Sequence, residues 1–222
     1  MPERNQTPIA IGRRAARRLA QALGPTSLVT YRGRRDGRRI ALTFDDGPSV
    51  LTRSYLELLD EFGVRATFFV VGELCAARPQ DLDEIVRRGH EVAGHGYSHR
   101  AFTTLGPREL EAELERTAAL LPKGQTFAQF VRPPHGALSL GSLMICKRAG
   151  FYPVLWSRDS DDCRTSSSDV IVSALCEKPL RPGDIVLMHE GQSWTMRALE
   201  PVLRHLLSEG HELTTVGDLL SA

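Results

Sequence analysis

The chain has 222 residues, 41% of them hydrophobic and 25% charged, with a formal net charge of +1. That length suits one domain with a full core, and the composition excludes a disordered, collagen-like or disulfide-scaffold chain. The small net charge hides a split: before residue 40 there are ten Arg against Glu3 and Asp36, and the remainder holds 18 basic and 25 acidic side chains.

The basic excess belongs to an N-terminal extension, residues 1–37, ahead of a mildly acidic body at 38–222 for which no nucleic-acid partner is expected. In the extension Ile11, Ala15, Leu19 and Leu23 recur at helical spacing, with Arg13, Arg14, Arg17 and Arg18 mostly off that stripe. This predicts a partly helical segment, either packed on the body with a solvated Arg face or in weak contact with an anionic membrane surface. No apolar core of roughly 7–15 residues follows these charges, as a secretory signal requires. No run approaches the roughly 18 residues of a membrane span. Cys75, Cys146, Cys163 and Cys176 form no C-x-x-C pair, which argues against a zinc knuckle or a dithiol redox site. The expectation is a cytoplasmic protein with reduced thiols, at most peripheral to a membrane.

"YRGRRDGRR" reads as a turn or linker. From Ile40 onward short apolar runs alternate with amphipathic stretches. Strands are expected at Ile40–Phe44, "ATFFVVG", "HEVAGH", "FAQFVRPP", "FYPVLW", "DIVLMH" and the start of "HELTTVGDLL". Helices are expected at Arg53–Phe62, at 80–89, over "GPRELEAELERTAALL", at 139–149, 168–176 and 195–208, and at the C-terminus. This βαβα order predicts an α/β fold of mostly parallel strands with helices outside. A closed or partly open barrel and an open sheet both fit, and in either the site lies at the C-terminal ends of the strands.

The polar residues at those ends form a pattern. Strand one runs into two adjacent carboxylates, Asp45 and Asp46, which resist joint ionisation unless a positive charge lies beside them. His95 and His99, in "HGYSH", are spaced to share one face of a helical turn and to offer two imidazoles to one metal. One aspartate with two histidines is a facial ligand set with open positions for water and substrate. The ion would keep the second aspartate ionised and free to act as a base. "RPPHG", "WSRDSDDC" and "DIVLMH" are each weak alone, and their order makes the case.

With these motifs in place the chain resembles the NodB-homology polysaccharide deacetylases, carbohydrate esterase family four, over about residues 38–220. "TFDDGP", "HGYSH", "RPPHG", "DSDDC" and "LMH" are similar to the family's five motifs in order. The departures are Gly96 where Ser or Thr is commoner, His135 where an aromatic residue is commoner, and Cys163 where Trp is usual. The resemblance implies a distorted, partly open (β/α) barrel. It implies Asp45 as general base, Arg132 as its partner, and Asp46, His95 and His99 as ligands of one divalent ion, usually zinc, with cobalt or another first-row ion as substitutes. Asp162 would orient His189, the general acid. The His135 amide would hold the oxyanion, and Leu187 would line the acyl pocket, where Cys163 leaves room for an acyl group larger than acetyl. The reaction expected is hydrolysis of an N-acyl amide on an amino sugar, an oligosaccharide or a small glycosylated metabolite. The competing readings are a glycan-binding relative without activity and a hydrolase of another non-peptide C–N bond.

Overall fold

The apolar run at Ile40 opens the central strand, β1 (Arg39–Gly47), in a computed structural model that describes residues 28–122 and 129–221. Side chains alternate along it, as period-two geometry requires. Ile40, Leu42 and Phe44 face the outer helices, whereas Ala41 joins an inner cluster with Phe69, Ala93, Phe130, Val154 and Ile185. Thr43 and Asp45 share the face of Ala41, so the strand delivers a carboxylate to the inside of the curled sheet.

The other strands repeat this logic: β2 (Thr67–Val70), β3 (Glu91–Gly94), β4 (Gln129–Val131), β5 (Phe151–Pro153), β6 (Arg158–Asp159), β7 (Ile185–His189) and β8 (Glu212–Thr214). Their order is β5-β4-β3-β2-β1-β7-β6, with β8 also paired to β1. Every strand pair described is parallel. Parallel strands need crossovers, which α1 (Thr52–Glu61), α2 (Gly72–Ala77), α3 (Pro79–Arg87), α4 (Pro107–Ala118), α5 (Leu140–Arg148), α6 (Ser168–Cys176) and α7 (Ser193–Ser208) help to provide before α8 (Val216–Ser221) closes the chain. The result is the distorted, partly open (β/α) barrel expected from the sequence.

The barrel is open between β5 and β6, and the segment ahead of β1 runs into this gap. Thr30 bridges Val154 in parallel and Arg32 bridges Asp184 antiparallel, with the Gly33 amide donating to the Gly183 carbonyl. Contacts with the body therefore begin ahead of residue 38. The predicted amphipathic helix of the extension, and residues 127–128 of the fourth predicted strand, lie outside the described residues.

The helix expected at 80–89 is α3; a short helix not foreseen, α2, precedes it, its entry at Gly72 set by packing against Tyr97. Two local expectations are corrected. "FYPVLW" stops as a strand at Pro153, where pairing passes to Thr30. "HGYSH" is not a helical turn: His95 to His99 is an irregular loop with Gly96 at φ 77° and His99 at φ 58°.

Candidate active site

Arg132, directly after β4, is fully buried at the centre of the barrel. Its Nη1 donates to Asp45 Oδ1 at 2.6 Å and to Thr43 Oγ1 at 2.8 Å. Nε and Nη2 donate to the carbonyls of Val154 and Leu155, and the guanidinium lies 3.9 Å from the centre of the Phe69 ring. Burial pulls the Arg132 pKa down, and the Asp45 carboxylate works against that pull. The two carboxylates of "DDG" thus have different neutralising partners, since Asp45 answers to a buried guanidinium.

Asp46 takes φ 69° and so turns away from its neighbour. Its Oδ1 lies 3.0 Å from His99 Nε2 and 3.4 Å from His95 Nε2. Burial works against its ionisation, but the two imidazoles outweigh it and hold the carboxyl well below the usual carboxylate range. His95 Nδ1 donates to the Arg132 carbonyl at 2.7 Å, which holds the ring with Nε2 facing Asp46. Asp46, His95 and His99 together present one oxygen and two nitrogens close enough for a single ion. A cavity of about 260 Å³ beside them is lined by Asp46, His99, Ser98, Val71, Glu73 and Leu74.

His189 ends β7 in register with Asp45 on β1, so the two project side by side. Its Nδ1 donates to Asp162 Oδ1 at 2.6 Å, and its backbone amide donates to Asp162 Oδ2. Burial works against the imidazolium, but the Asp162 hydrogen bond and charge, with Asp45 and Asp46 behind, raise the His189 pKa to about 9. Leu187 lies two residues earlier on the same face and is almost fully buried. Cys163 is exposed in the turn beside Asp162. His135 is exposed, at φ 59°, with its ring 4.8 Å from that of His99. All ten residues singled out in the sequence thus lie on or beside one rim.

Sequence reasoning missed the supports. Thr195 Oγ1 donates to Asp162 Oδ2, Trp194 Nε1 donates to the Asp162 carbonyl, and Thr43 takes its bond from Arg132. Thr43 carried a faint signal, a polar residue inside an apolar run. Thr195 and Trp194 carried none, because a helix start commonly holds such residues for its own sake.

Comparison with known proteins agrees with this geometry. The family model described as polysaccharide deacetylase matches residues 32–154. A peptidoglycan-N-acetylglucosamine deacetylase of Bacillus cereus is 32% identical, over 91% of this chain and 97% of its own. A chitooligosaccharide deacetylase of Sinorhizobium fredii is 38% identical, over 68% of this chain and 72% of its own. Among solved structures, a peptidoglycan N-acetylglucosamine deacetylase superposes with a TM-score of 0.81 at 27% identity, covering 88% of this chain and 94% of its own. A CE4 family pseudoenzyme from Bacillus anthracis follows at 0.78 and 27%, covering 90% and 70%. The chain belongs to the polysaccharide deacetylase family, the NodB-homology enzymes of carbohydrate esterase family four.

Proposed function

We propose that this protein is a metal-dependent deacetylase that removes acetyl groups from N-acetylglucosamine-containing glycans, releasing acetate and a free amine. The observation that carries the reading is the Asp46 carboxylate. Its Oδ1 is buried in no well-formed hydrogen bond, with His99 Nε2 and His95 Nε2 standing 3.0 and 3.4 Å away. One buried carboxylate oxygen facing two imidazole nitrogens is a donor arrangement that a divalent cation completes. The set of one oxygen and two nitrogens fits zinc, and also cobalt or another first-row ion.

Such an ion polarises an amide carbonyl and lowers the pKa of water. The remaining chemistry belongs to the chain. Asp45, held by Arg132, takes the proton of the attacking water. The His135 amide donates to the oxyanion that develops, in a turn where His135 and Gly136 both take positive φ. His189 gives its Nε2 proton to the departing nitrogen, and Asp162 holds the imidazolium through Nδ1. The presence of base, acid and both of their partners counts against the glycan-binding reading that the pseudoenzyme relative raises. Acetate release from N-acetylglucosamine, its β-1,4 oligomers and a soluble polymer tests the substrate class. Release that grows with chain length supports a glycan site. Release from none of them contradicts it.

The rate is expected to fall as pH rises through the pKa of the acid, because His189 must carry its proton. That limb lies at or below about 9, since a cation bound nearby lowers the pKa of an imidazolium. His189→Gln removes the limb and costs roughly 10²–10⁴-fold in kcat. An unchanged alkaline limb in that variant would assign it to another group.

Cys163 is exposed beside Asp162 and is smaller than the Trp usual there in the family, so room for a larger acyl group is expected. Propionyl and butyryl amides are expected to react within about tenfold of acetyl, less than the usual penalty for a misfitting methylene, and Cys163→Trp should restore acetyl preference. Strict acetyl selectivity in the unaltered protein would show that a neighbour fills the gap.

A further inference from the structure

Both outer ligands of the metal set sit in backbone that cannot hold itself. Asp46 and His99 are non-glycine residues at φ 69° and 58°, conformations that persist only where the surroundings over-determine them. Each loop is gripped by a buried glutamate that takes no part in the steps above. We propose that Glu113 and Glu190 are positioning residues that set the separation of Asp46 and His99, and so the metal affinity of the site. The proposal rests on the reading that Asp46, His95 and His99 hold an ion.

Glu113 projects from α4 and is 7% exposed. Its Oε2 accepts from the amides of Tyr97 and Ser98 at 2.9 Å each, and its Oε1 accepts from Ser98 Oγ at 2.7 Å. Those are the two residues immediately before His99. Gly96 takes φ 77°, which strains an L side chain, and a Cβ there would stand 3.3 Å from Phe102. The loop is thus built around a glycine, and the Glu113 carboxylate supplies hydrogen bonds to it from a neighbouring helix.

Glu190 follows His189 and is 3% exposed. Its amide donates to the Asp45 carbonyl at 2.7 Å. Its Oε1 accepts from the Ser49 amide and hydroxyl, at 2.9 Å each, and from the Thr52 hydroxyl. Its Oε2 has no partner and occupies the space that a Cβ at Gly47 would overlap. Backbone bond and carboxyl together clamp the chain on both sides of Asp46. Groups that orient metal ligands typically change affinity by about 10–100-fold when removed.

The test is zinc affinity, measured by competition with a chromogenic chelator, together with the melting temperature of the metal-free protein. Glu113→Ala and Glu190→Ala are each expected to weaken zinc binding about 10–100-fold. Glu113→Gln and Glu190→Gln are expected to stay close to wild type, because one amide carbonyl can still accept the loop donors. Should an Ala variant not fold, Glu113→Asp and Glu190→Asp carry the test, since withdrawing the carboxyl by one methylene should weaken zinc binding at least roughly fivefold. Zinc bound equally by wild type and variants, with only the metal-free melting temperature lowered, overturns the positioning role and leaves the metal site standing. No zinc bound by the wild-type protein overturns the metal reading, and this proposal with it.

Discussion

Asp45→Asn is expected to lower kcat for acetate release by roughly 10²–10⁴-fold while zinc binding is retained. Asn keeps the shape of the side chain and an oxygen for the Arg132 Nη1 that now lies 2.6 Å away, but it cannot accept a proton. Asp45 sits on β1 opposite His189, so base and acid act from neighbouring strands and the loss of one leaves the other in place. The proposed metal ligands, Asp46, His95 and His99, are unaltered. A variant that loses activity together with its metal would instead make Asp45 part of the ligand set. Activity within about threefold of wild type would place the base elsewhere.

Arg132→Leu is expected to be the most destabilising single change in the barrel interior. Arg132 is fully buried, and its removal takes away the guanidinium bonded to the buried Asp45 carboxylate. Breaking a buried pair from one side costs about 3–5 kcal/mol, which corresponds to a fall of roughly 6–20 °C in melting temperature for a domain of this size. Two backbone carbonyls, of Val154 and Leu155, lose their donors as well. Combining Arg132→Leu with Asp45→Asn should recover part of the loss, because the buried carboxylate charge disappears. An additive double variant would show that the pair is not coupled, and a melting temperature unchanged by Arg132→Leu would contradict the burial argument.

Much of the architecture was legible in the sequence because each strand carries its own signal. The run Ile40–Phe44 ending on two carboxylates reads as a buried strand with something charged at its mouth, and the alternation of runs and amphipathic stretches points to mostly parallel strands without giving their order. The site was legible where one motif supplied both residues and context, as with Asp45 and Asp46. It was misread where spacing stood in for conformation. His95 and His99 have helical spacing, yet the left-handed turns at Gly96 and His99 bring them together without a helix. The two-residue strand β6 is too short for any pattern to reveal. Reading residues alone, the positive partner of the aspartate pair was one ion, whereas Asp45 has a guanidinium from a strand 87 residues further on. Glu113 and Glu190 were illegible for the same reason: a glutamate on a helix or at a strand end reads as solvated until the fold buries it.

Deacetylation is proposed to depend on an ion held by Asp46, His95 and His99. The most direct measurement is acetate release from short β-1,4 N-acetylglucosamine oligomers by protein stripped with chelator and then titrated with zinc or cobalt. No release is expected from stripped protein, with recovery that saturates at one ion per chain and no recovery in His99→Ala. Release that persists after stripping, or that returns equally in His99→Ala, would contradict it.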